Sequence, residues 1–178
     1  MRIRVSDITD VEKVFTFEEP VTAYPGLVET EHSGECSFLR PLSVELRIAR
    51  EYDHIRSQGH VKTAVQLKCS RCLGEFSAEV SSIFTIFYCE SKGEELDEEV
   101  ELGETDLIAA TYSGDEIDFA PEIAEQVLLE LPYKPLCKED CHGLCPNCGA
   151  DLNLDPCSCA GSTASLAFTV LKDFKAKQ

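Results

Sequence analysis

"LSVELRIAREYDHIRSQGHVKTAVQLKCSRCLGEFSAEVSSIFTIFYC" runs from Leu42 to Cys89. Its first segment alternates strictly, with Leu42, Val44, Leu46 and Ile48 on one side and Ser43, Glu45 and Arg47 on the other. A period of two places alternate side chains on opposite faces, so this segment reads as a half-buried strand. "HVKTAVQLKC" keeps Val61, Thr63, Val65, Leu67 and Cys69 in phase. "EFSAEVSSIFTIFYC" then offers Phe76, Ala78, Val80, Phe84, Ile86 and Tyr88 in one parity. Long strands joined by short connections predict an antiparallel meander. "CSRCLG", Cys69 to Gly74, falls at the tip of its last hairpin.

Upstream, "RIRVSDI" and "VEKVFTFEE" read as further strands, and "YPGL" at Tyr24–Leu27 as a turn. Downstream, Ala120, Ile123, Ala124, Val127, Leu128 and Leu131 form one apolar stripe at helical spacing. Asp118 is the expected N-cap, Pro121 sits in the first turn and Pro132 stops the helix. Ala167, Val170, Leu171 and Phe174 predict a C-terminal helix. The expectation is an α+β protein: an antiparallel β-sheet domain over 1–117, then over 118–178 a packed helix, a Cys-rich segment and the C-terminal helix.

The chain has 178 residues and a net charge of −17. Such a charge repels free nucleic acid at long range. Gly93 to Asp106 holds eight acids and no base, which suits a solvated loop or acidic arm. Arg40 to Arg71 is the exception, with seven Lys/Arg against three acids. No apolar leader opens the sequence and no stretch is long enough for a membrane span, so a cytoplasmic protein with reduced thiols is expected.

There are ten cysteines. Eight fall in four tight pairs: Cys69/Cys72, Cys137/Cys141, Cys145/Cys148 and Cys157/Cys159. One turn can aim both sulfurs of such a pair at one ion, and two pairs complete a tetrahedral site. In "CPNCG", Gly149 can take a positive φ and free backbone N–H groups to donate to sulfur. Two zinc ions are therefore expected, one held by Cys69, Cys72, Cys137 and Cys141, the other by Cys145, Cys148, Cys157 and Cys159. Three rival arrangements remain: Cys137/Cys141 with Cys145/Cys148 in a single site, a bridged Zn₂Cys₆ cluster, or an iron–sulfur cluster. His142 is either a substitute for Cys141 or a surface residue. Cys36 and Cys89 read as small buried hydrophobes.

No phosphate loop, nucleophile elbow or histidine motif points to an enzyme. A thiol oxidoreductase using Cys69/Cys72 is the catalytic alternative, although the helix that lowers a thiol pKa in such enzymes is missing beside "CSRC".

"VQLKCSRCLGEF", the β-rich run, the acidic stretch and "IDFAPEIAEQVLLELPYKPLC" resemble the YceD family of large ribosomal RNA subunit accumulation proteins, over about Leu42 to Lys175. "CKEDCHGLCPNCGADLN" resembles a zinc-binding branch of it, and "LAFTVLKDFK" its terminal helix, without the proline expected before that helix. The resemblance implies a non-catalytic bacterial factor in large-subunit (23S) ribosomal RNA accumulation or ribosome assembly. It implies ribosomal RNA or large-subunit assembly and ribosomal proteins as partners, with no small-molecule substrate. For direct RNA contact the candidates are Arg47, Arg50, Arg56, Lys62, Lys68 and Arg71. A zinc-stabilised interaction module unrelated to RNA is the other non-catalytic alternative.

Overall fold

A computed structural model describes residues 1–91, 109–154 and 157–159. The chain runs β1 (Arg2–Arg4), β2 (Lys13–Glu19), α1 (Pro25–Ser33), β3 (Cys36–Phe38), β4 (Leu42–Glu51), β5 (His54–Lys68), β6 (Glu75–Glu90), β7 (Ala109–Tyr112), β8 (Glu116–Asp118) and α2 (Ala120–Glu130). The acidic stretch 93–106 and the C-terminal helix expected over 162–178 lie outside the described residues.

The main sheet has the order β2-β4-β5-β6-β7, with β3 also on β5. The expected meander is β4-β5-β6, antiparallel throughout. Its strands are longer than alternation suggested. β5 begins at His54, because a two-residue turn at Tyr52 and Asp53, with Tyr52 at φ 52°, lets pairing start at once. The sheet is mixed, since β7 pairs with β6 in parallel. A small ribbon, β1 with β8, buries Ile3 opposite Ile117.

Two expectations need correcting at the start of the chain. "RIRVSDI" is strand only over β1, and Val5–Asp7 is a 3₁₀ turn that still leaves Ile8 buried. "YPGL" is the start of α1, not a turn: Pro25 stands at the first helical position, where its missing N–H has no partner to lose.

The in-phase residues of β4, β5 and β6 bury one face of the sheet in a core closed by α2, with α1 packed against α2 and β3. Leu42, Val44, Leu46, Ile48, Ile55, Val61, Val65, Val80 and Tyr88 are all but removed from water. From α2 come Ala120, Ile123, Ala124 and Val127, so one core spans residues on both sides of position 117. Gly59 faces Phe84 across β5 and β6, and a Cβ there would lie 2.1 Å from the Phe84 ring. The ring occupies the space that any larger residue would need.

α2 starts where Phe119 packs edge-on against Tyr88, ring centroids 5.0 Å apart. It then runs over β6 and β5. Eleven helical residues cover only about 16 Å, so the hairpin tip is reached by the extended chain after α2. Ser70 N–H there donates to the Pro135 carbonyl at 2.8 Å.

The Asp118 carboxylate accepts from the Ala120 N–H at 3.0 Å and from Arg2 Nε at 3.2 Å. Partial burial pushes its pKa up, but these bonds outweigh that and hold it below the usual carboxylate range. The ionised form is therefore stabilising above the unfolded-state pKa, and that contribution is lost as pH falls through the folded one. Asp118→Ala should cost about 1 kcal/mol in denaturant unfolding at neutral pH, with the gap to wild type closing on acidification; an unchanged gap at low pH contradicts this role. Gly59→Ala should cost about 1–3 kcal/mol through overpacking against Phe84, read in the same assay.

Candidate metal centres

Cys69 to Gly74 connects β5 to β6. Cys69 N–H donates to the Gly74 carbonyl at 2.9 Å, and Leu73 N–H to the Cys69 carbonyl at 2.9 Å. "CPNCGA" repeats this pattern: Cys145 N–H donates to Ala150 O at 2.8 Å and Gly149 N–H to Cys145 O at 2.9 Å. The residue after the second cysteine is left-handed in both, Gly149 at φ 74° and Leu73 at φ 60°. Both are thus the same knuckle. The second was legible from its glycine; the first hides a leucine in a conformation that costs an L-residue about 1–2 kcal/mol.

The eight paired cysteines form two groups, Cys69, Cys72, Cys137, Cys141 and Cys145, Cys148, Cys157, Cys159. Within each group the sulfurs lie within 4.8 Å of one another. Cys69 Sγ is 3.7 Å from Cys141 Sγ, and Cys72 Sγ is 3.8 Å from Cys137 Sγ. A disulfide needs about 2.05 Å. The edge of a sulfur tetrahedron drawn at about 2.3 Å around a zinc ion is about 3.8 Å. These groups have the donor set and spacing to hold one metal ion each. The division differs from a single Cys137/Cys141/Cys145/Cys148 site and from a shared six-sulfur cluster. His142 is exposed and outside both groups.

The electrostatics agree with this. Cys69 is pushed down to about 6 by N–H groups of Cys72, Cys137 and Arg71 aimed at its sulfur. Cys145 is likewise pushed down to about 6 by the N–H groups of Cys148 and Asn147. Cys137 is pushed up to about 12 by loss of water and by its sulfur neighbours, and Cys159 to about 12 by Cys148 first of all. In each group one sulfur is thus favoured as a thiolate, Cys69 or Cys145, and another is disfavoured, Cys137 or Cys159, a balance that a bound cation would shift.

The first group depends on docking between distant segments. Arg71 donates from Nη1 to the carbonyls of Cys141, 2.9 Å, and Glu139, 3.2 Å. Leu144 N–H returns a bond to Arg71 O at 3.2 Å. Gly143 fits between them at φ 74°, where a Cβ would stand 3.0 Å from Arg71 O. Asn153 was missed in the sequence: its Oδ1 accepts from His142 N–H at 2.9 Å, and its Nδ2 donates to Cys141 Sγ at 3.4 Å. An Asx residue shortly after a CPxCG knuckle was the signal available.

The six cationic candidates do not form one patch. Arg47, Arg56, Lys62 and Lys68 share the sheet face opposite the core. Arg50 belongs to the other face, its backbone N–H bonded to Thr9 O, and Arg71 is turned to the first sulfur group. On the shared face Arg47 pairs with Glu45, and Arg56 with Glu51 and Glu12. Among the described residues Lys62 and Lys68 form no ion pair, and Glu75 and Glu79 emerge on the same face from β6. The result is a face of mixed sign.

Gly143→Ala should weaken metal binding at the first group by roughly tenfold or more, the range seen when a supporting shell is disturbed, while Leu73→Gly should leave it intact. Competition with a chromophoric chelator measures both; equal effects would contradict the docking role of Gly143.

Residues 57–175 match the family described as Large ribosomal RNA subunit accumulation protein YceD. An uncharacterised protein of Mycobacterium tuberculosis is 33% identical over 117 residues, 65% of this chain and 53% of that protein. A chloroplastic protein of Arabidopsis thaliana named Large ribosomal RNA subunit accumulation protein YCED homolog 1 is 30% identical over 142 residues, 67% of this chain and 44% of its own length. Its namesake in Zea mays is 28% identical over 145 residues, 67% of this chain and 48% of its own. The chain spans about half the length of these curated relatives. No solved structure matches it. The hairpin-tip knuckle, α2 and both sulfur groups all fall within the matched residues, and the chain belongs to the YceD family.

Proposed function

We propose that this protein is a non-catalytic factor, stapled by two structural zinc ions, that supports accumulation of large-subunit ribosomal RNA in the bacterial cytoplasm. The family match over residues 57–175 carries the ribosomal reading. Zinc is the ion that best suits two all-thiolate groups of four, because structural zinc sites close with four protein ligands and leave no position for substrate. The same closure argues against a Cys69/Cys72 oxidoreductase: both thiols would be occupied, and the tip is flanked by strands, with no helix dipole to favour a free thiolate. No helix among the described residues is long and apolar enough to cross a membrane.

The partner is a basic ribosomal or assembly protein. A chain with net charge −17 attracts such proteins at long range, whereas its outer-face arginines are already matched by carboxylates. Direct RNA contact is the competing outcome. It would rest on Lys62 and Lys68 and show as a salt-sensitive shift of ribosomal RNA fragments.

Elemental analysis should find two zinc ions per chain, with thiols slow to alkylate until a chelator is added. Depletion should lower 23S ribosomal RNA and the large-subunit peak on gradients while the small subunit persists. Normal large-subunit levels after depletion would sink the ribosomal reading; a metal-free chain with a fast-reacting Cys69 thiol would favour the oxidoreductase.

A further inference from the structure

The geometry points to Asn153 as a positioning residue that couples the two sulfur groups, so that filling the second strengthens metal binding at the first. The inference rests on the reading of both groups as metal centres.

Asn153 lies in the loop between Cys148 and Cys157, two ligands of the second group. Its side chain nevertheless serves the first. Nδ2 donates to Cys141 Sγ at 3.4 Å and to Asp151 Oδ1 at 2.7 Å. Oδ1 accepts from the N–H of His142, the residue next to that ligand, at 2.9 Å. The amide orientation is set by chemistry: the sulfur and the carboxylate need a donor, and the backbone N–H needs an acceptor. Asp151 Oδ1 also accepts from Asn153 N–H at 2.9 Å, which locks the side chain from below.

The loop is joined to the first centre by main chain as well. Leu152 N–H donates to Gly143 O at 2.9 Å, and Leu144 bridges Asp151. Gly143 in turn sits against Arg71 in the hairpin-tip knuckle. A metal ion in the second group gathers Cys145 and Cys148 with Cys157 and Cys159, and so closes the loop that presents Asn153. An N–H donor on a ligating thiolate lowers the charge that the sulfur presents and fixes its direction. Coupling of this kind is reciprocal, so a filled first centre also favours the second.

The full-length chain tests this with cobalt(II) as the probe, which reports thiolate ligation by its sulfur-to-metal charge-transfer band. Two cobalt ions should bind. Cys148→Ser with Cys157→Ser, which disables the second centre, should weaken cobalt binding at the first by about tenfold. Asn153→Ala alone should weaken it by a similar factor, and the combination should add little, giving a strongly non-additive cycle. Asn153→Asp keeps the acceptor for His142 but replaces the N–H donor by a carboxylate oxygen set against Cys141 Sγ and Asp151 Oδ1. It should shift the charge-transfer band of the intact protein to lower energy, with unchanged far-ultraviolet circular dichroism, an effect that a purely structural role would not produce. Additive losses, or an unmoved band in Asn153→Asp, would overturn the coupling while leaving two metal centres standing. Failure of either group to take cobalt would overturn the metal reading and the coupling with it.

Discussion

Four sulfurs from two remote segments must meet at the hairpin tip, and most of the architecture serves that meeting. Cys69 and Cys72 are carried there by β5 and β6, fifteen and sixteen residues long. Cys137 and Cys141 arrive 65 to 72 residues later in sequence. Their path is set by α2, which is anchored at the far end of β6 by Phe119 against Tyr88 and crosses the sheet on its apolar stripe. The prolines after α2 prevent more helix from forming and keep the chain extended towards the tip. Arg71, Ser70 and Gly143 then fasten the two segments through backbone groups.

The parts legible in the sequence were those governed by period or spacing. Strict alternation identified β4, and the continued phase of Val61, Thr63, Val65 and Leu67 identified β5. The stripe from Ala120 to Leu131 identified α2, with the cap contact made from Asp118, two positions before the first helical residue. The sulfur groups divided as the pair spacing suggested, because each CxxC pair is held by a turn of its own. What stayed hidden depended on tertiary contact. Tyr24–Pro25 opens a helix because Tyr24 and Leu27 find a buried site under it. The parallel pairing of β7 has no local signature. Gly59 carries meaning only once Phe84 lies over it, and Asn153 only once Cys141 stands beside it.

The charge pattern shows a different limit. A run of basic residues in sequence suggested a binding surface, yet the register separates Arg50 from Arg47 and places carboxylates beside the others. Alternation along a strand splits a linear cluster between two faces, and cross-strand pairing then decides which charges survive uncompensated. Among the described residues Lys62 and Lys68 form no ion pair, yet Lys68 stands opposite Glu75 in the register, and Arg71 donates to carbonyls of the Cys-rich segment.

The two knuckles make the same backbone bonds but close rings of unequal size. The loop between Cys72 and Cys137 spans 65 positions, whereas that between Cys148 and Cys157 spans about nine. By the logarithmic cost of loop closure, the longer ring carries about 1.7 kcal/mol more chain entropy. The short ring can therefore form on a nascent or isolated segment, while the long one gains its ligands only when the sheet, α2 and the extended chain are already in place. A metal ion held by Cys69, Cys72, Cys137 and Cys141 would therefore report completed folding, and a chain whose strands are misregistered would show it first as a failure to retain that ion.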